Sequence, residues 1–83
     1  MDISKTRVAT IMQSVFADEL GGLALTDDLE LLESGIIDSL ALTRLAARLE
    51  EEIAGLRVAD SDITPENFGS VNRAHEYLSR AEM

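Results

Sequence analysis

Val8, Ile11, Met12, Val15 and Phe16 recur at the i, i+3, i+4, i+7, i+8 spacing of one helical face, which predicts an amphipathic helix over residues 4–20. Ser4 stands where it can cap the start, and Gly21-Gly22 supplies the left-handed stop. From Leu23 to Asp38 the period is lost. Leu23, Leu25, Leu29, Leu31, Leu32, Ile36 and Ile37 alternate irregularly with Asp27, Asp28, Glu30, Glu33 and Gly35. At about 16 residues this loop is longer than most connections in small domains, and its leucines and isoleucines predict that it is anchored, with a short helical turn near Leu29–Glu33. The period returns at Leu42, Leu45, Ala46, Leu49 and Ile53, giving a helix over residues 39–54 with Asp38 as N-cap and Gly55 as its stop. Thr64-Pro65 has the form of a cap followed by proline at the first helical position, opening a short turn over 65–68 that Gly69 breaks. Ser70 then caps a last helix over 71–81, whose inner face is Val71, Ala74 and Leu78, extending to Ala81. No alternating run long enough for a strand remains. The pattern predicts an all-α fold, a four-helix bundle of three principal helices and one short one, with the long loop between the first two.

Eighty-three residues fit one small domain, 1–83, with little room for a deep catalytic cleft. The absence of cysteine excludes disulfides and thiolate metal sites, and the fold must be held by packing alone. Met1-Asp2-Ile3-Ser4-Lys5 lacks the basic patch and apolar run of a signal peptide, and no apolar stretch approaches ~18 residues, so a cytoplasmic location and no membrane association are expected. The net charge of −9 repels phosphate backbones, which argues against nucleic acid and for basic protein partners. That charge is uneven. Residues 17–38 carry seven acids and no base, so acidity peaks just before Ser39.

Gly35-Ile36-Ile37-Asp38-Ser39-Leu40 therefore places an exposed serine in the first turn of a helix, where unpaired amides and the positive end of the helix dipole favour an esterified phosphate. Asp38-Ser39-Leu40 with Gly35 before it, the helix–long loop–helix–loop–short helix–helix order, Leu49-Glu50-Glu51-Glu52 and the closing Val71…Tyr77-Leu78 resemble the acyl and peptidyl carrier protein family from end to end. The resemblance implies that Ser39 receives 4'-phosphopantetheine from coenzyme A through a phosphopantetheinyl transferase. It implies a free-standing, monomeric, non-catalytic carrier of acyl, aminoacyl or polyketide thioesters. Its further partners would be an acyl- or amino-acid-activating ligase and a ketosynthase, condensation or other transfer enzyme.

The resemblance also implies a docking surface on the second helix, at Asp38, Leu40, Thr43, Arg44, Ala47 and Arg48. Fatty-acid-synthesis carriers usually show acids along the start of this helix, whereas Arg44 and Arg48 place two positive charges on its outer face. Together with Ala59 in place of the common proline, this turns the expectation toward a polyketide or nonribosomal peptide pathway. The alternatives are a fatty-acid-synthesis carrier and an acidic helical interaction module that is never modified.

Other residues read more plainly. Glu50-Glu51-Glu52 is a solvated helix face, and His75, one position off the last apolar stripe, is structural. Tyr77 packs at the core boundary. Asp27-Asp28 lacks the spacing of a calcium loop, and no nucleophile–base pair or metal cluster is present, so neither metal binding nor catalysis is expected.

Overall fold

The computed structural model describes residues 3–81, and the expectations resting on Met1, Asp2 and the side chain of Ala81 lie outside what it describes. The chain runs as helices α1 (Lys5–Val15), α2 (Ala17–Leu20), α3 (Ser39–Glu52), α4 (Pro65–Phe68) and α5 (Val71–Ala81), with a 3-10 turn at Asp60–Asp62. Among the described residues there is no strand, and the expected all-α helical bundle is what forms.

The first helix starts as expected, with the Ser4 hydroxyl accepting the Arg7 N–H at 3.1 Å. It is not continuous to residue 20. Phe16, at φ −104° and ψ 21°, steps out of helical geometry and separates α1 from α2. Adjacent β-branched Val15 and aromatic Phe16 are poor helix formers, and the step leaves Phe16 fully buried. Gly21 then takes the left-handed conformation, φ 55°, and ends α2. The α3 helix stops at Glu52, two residues short of the expected boundary, because Ile53 turns to an extended conformation while keeping its side chain in the core.

The stripes predicted from periodicity form the interior. Val8, Ile11, Met12 and Phe16 join Leu42, Leu45 and Leu49 of α3 and Val71, Ala74 and Leu78 of α5 in one core cluster, with Ala46 also buried and Val15 only partly buried. α1 packs on both α3 and α5, and α4 sits between α3 and α5. Leu31 and Ile37, from the long loop, are buried in the same core, so the loop contributes to the interior although it has no helix of its own. Its turn lies at Leu31–Gly35, two residues later than expected, tied by Ser34 N–H to Glu30 O at 3.0 Å and Ile36 N–H to Leu31 O at 3.0 Å.

The loop is strapped to the start of α5. The Leu31 N–H donates to Gly69 O at 2.8 Å, and the Asn72 N–H donates to Asp27 O at 2.9 Å. Arg73 reaches back to the Glu30 carboxylate at 3.0 Å. Gly69 sits in ordinary right-handed helical geometry at φ −74°, so it does not break α4 through a positive φ as a helix-stopping glycine would. It is glycine for lack of space: a Cβ there would stand 2.5 Å from Pro65 O. Ser70 is buried and caps α5 by accepting the Arg73 N–H at 3.2 Å.

Candidate functional site

Ser39 is the first residue of α3, delivered there by the strapped loop. The local geometry follows from Asp38, an extended residue whose Oδ1 accepts the Ala41 N–H at 3.1 Å, satisfying one of the amides that a helix start leaves without a partner. Ile37 immediately before it is buried, while Asp38, Ser39 and Leu40 are all exposed, Leu40 at 76%. The chain is thus pinned by Ile37 on one side and Ala41 on the other, with Ser39 held outward between them.

Among the described residues the Ser39 hydroxyl has no hydrogen-bond partner, and the amides of Ser39 and Leu40 have no acceptor. A phosphodiester on Ser39 Oγ would fit this arrangement: it would sit at the positive end of a 14-residue helix whose first two amides are free among the described residues, and Asp38 Oδ1 is engaged by the Ala41 N–H. Among the described residues no group of His, Asp and Glu side chains is arranged to hold a metal ion. The site presents an exposed hydroxyl that can carry an ester.

Of the residues expected to dock partners, Asp38, Leu40, Thr43, Arg44 and Ala47 are exposed and Arg48 is half-buried. The two arginines are not free charges. Arg44 pairs with Glu19 of α2, and Arg48 pairs with Glu52 one turn along α3, at 3.1 Å. Glu50 departs from the solvated face expected of it, since its Oε2 accepts the Val58 N–H at 2.8 Å and so holds the loop after α3 against the helix. Neither Glu19 nor Glu50 was singled out from sequence for these contacts.

Tyr77 lies at the core boundary, as expected, and His75 is half-buried. Tyr77 is more committed than packing alone requires: its hydroxyl donates to Asp62 Oδ2 at 2.8 Å, and its ring leans on Phe68 with centroids 4.9 Å apart. Burial, followed by the hydrogen bond and charge of Asp62, raises its phenol pKa.

A family model described as the phosphopantetheine attachment site matches residues 7–77, well over half the chain. No curated protein and no solved structure matches it.

Proposed function

The chain belongs to the phosphopantetheine attachment-site family, and on that premise we propose that Ser39 is the residue that bears the 4'-phosphopantetheine and that residues 1–83 act as one carrier domain. The observation that supports this reading is the Ser39 hydroxyl, exposed at the first position of α3, unbonded among the described residues and next to two open amides.

Members of this family are carriers that serve a phosphopantetheinyl transferase and biosynthetic enzymes. When bound, the group supplies a terminal thiol for thioester formation, which this cysteine-free chain does not have itself. The protein's residues do the rest by position. Ser39 Oγ holds the phosphodiester, the Ser39 and Leu40 amides face its negative charge, and Asp38 keeps the helix start in register. The strap from Asp27, Glu30 and Leu31 to α5 fixes the approach to Ser39. A tethered cargo reaches a docked partner at an effective concentration of about mM for a short flexible link.

The carrier acts without catalysing a reaction of its own, as a cytoplasmic monomer in polyketide or nonribosomal peptide assembly. Asp38, Leu40, Thr43, Arg44, Ala47 and Arg48 present the surface that partners meet. The pathway reading is supported by two arginines where an all-acidic face would suit a generic basic partner. Among the described residues no helix is long and apolar enough to cross a membrane.

Incubation with coenzyme A and a broad-specificity transferase is expected to add one phosphopantetheine to the native chain and none to Ser39→Ala. An unmodified native chain would overturn the assignment.

A further inference from the structure

A shallow groove of about 360 Å³ lies between α1 and α3, lined by Ser14, Val15, Arg44, Ala47, Arg48 and Glu51. Over Ser39–Leu49, Arg44 and Arg48 are the only charged residues, in a chain of net charge −9. They stand one helical turn apart, about 6 Å along the axis, with the small exposed Ala47 beside them. Leu40, 76% exposed, lies one turn before Arg44. Arg44 itself is about 7.5 Å along the axis from Ser39.

Each guanidinium is held by a carboxylate of this chain, Glu19 for Arg44 and Glu52 for Arg48, yet the arginine side chains keep 54% and 43% of their surface open. Ion pairs this exposed are weak and exchange partners readily. The result is a short positive stripe framed by Glu19, Glu51 and Glu52. A uniformly basic partner would be drawn to the −9 body but would press cations against the stripe, and a uniformly acidic partner would be repelled before reaching it.

We propose that this groove docks a partner protein of mixed charge. The partner presents two carboxylates about one helical turn apart, which take over Arg44 and Arg48, and flanking basic residues that face Glu19, Glu51 and Glu52. Leu40 supplies the apolar contact at the end nearest Ser39. The arginine pair thereby acts as a register key, admitting a partner whose carboxylates fall opposite it and rejecting one with cations there. This inference rests on the carrier reading only for why a partner should come to Ser39.

Two helical peptides test it, identical in length, each with one leucine and lysine flanks, one carrying two glutamates four positions apart and the other two lysines at those positions. Titration into the native chain, followed by amide chemical shifts, is expected to favour the glutamate peptide by about tenfold, with shifts centred on Ser14–Val15 and Arg44–Arg48. Arg44→Glu with Arg48→Glu should reverse the preference. Arg44→Gln with Arg48→Gln, which keeps helix propensity and adds no repulsion, should abolish it. Glu19→Gln, which releases Arg44, should strengthen the glutamate peptide's binding. Equal binding of both peptides, no binding of either, or a preference that survives the glutamine pair would overturn the proposal. Transfer of phosphopantetheine to the native chain, scored separately, distinguishes failure of this docking surface from failure of the carrier reading.

Discussion

Arg73 in α5 grips Glu30 of the long loop with its Nε 3.1 Å from Oε1 and 3.0 Å from Oε2, joining segments 43 residues apart. The carboxylate's hydrogen bond and charge raise the guanidinium above its already high pKa, so the cation of this pair persists at any usable pH. Both side chains are partly solvated, and salt will screen them. Arg73→Gln is therefore expected to loosen the strap without unfolding the bundle. Hydrogen exchange should quicken several-fold at the Leu31 and Asn72 amides, which bond across the same junction, and stay unchanged at Leu45 and Leu49. Uniform acceleration along the chain would show instead that the pair supports the whole fold.

Gly69 is the tight point of that junction. Its missing side chain lets the backbone pass Pro65 O, where a Cβ would come within 2.5 Å, and its own carbonyl accepts the Leu31 N–H. Because the obstacle is backbone, it cannot swing aside. Gly69→Ala should cost about 1–3 kcal/mol, as overpacking typically does. For a domain of this size that corresponds to a fall in melting temperature of roughly 4–8 °C per kcal/mol. An unchanged melting temperature would mean that α4 shifts freely.

Periodicity located the helices because Val8, Met12, Leu42, Leu45, Val71 and Leu78 must face one interior, and burial imposes that spacing wherever it occurs. It could not register the step at Phe16. Phe16 and Leu20 keep the i, i+4 spacing across the break, so the apolar pattern continues where the dihedral angles do not. The exposure of Ser39 at a helix start was legible because its environment is local: Asp38 caps the helix three residues before Ala41. The charge state of the surrounding face was not. Arg44 finds Glu19 across 25 residues, and Glu50 finds Val58 through a loop whose path no helical spacing specifies.

Tyr77 gives the fold a pH-dependent element. Burial, then the hydrogen bond and charge of Asp62, raises its phenol pKa, with Arg80 opposing in part. A folded pKa above the unfolded one means the stabilisation is fully present below about pH 10, the unfolded value, and is lost as pH rises through the folded value. Tyr77→Phe should cost about 0.5–1 kcal/mol at neutral pH through loss of the bond to Asp62. It should also flatten the alkaline arm of the stability curve. Urea unfolding at neutral pH and near pH 11 measures both, and an alkaline slope identical in the two proteins would count against the assignment.

Asp38 caps α3, and one pair of substitutions separates that role from the proposed recognition of its charge by a transferase. One carboxylate oxygen caps α3 through Ala41, while the other has no partner among the described residues and stands exposed beside Ser39. Asp38→Ala removes cap and charge together and should lower stability by about 1 kcal/mol. Asp38→Asn keeps an acceptor for the Ala41 N–H, so stability should return to within a few tenths of a kcal/mol of the native value. If the exposed charge is what a transferase reads, Asn will restore stability and not modification. The KM for phosphopantetheine transfer to Ser39 should then rise about tenfold in both variants, as expected when a charged interface contact is lost. A KM restored by asparagine would mean that Asp38 serves Ser39 solely by holding the helix start in place.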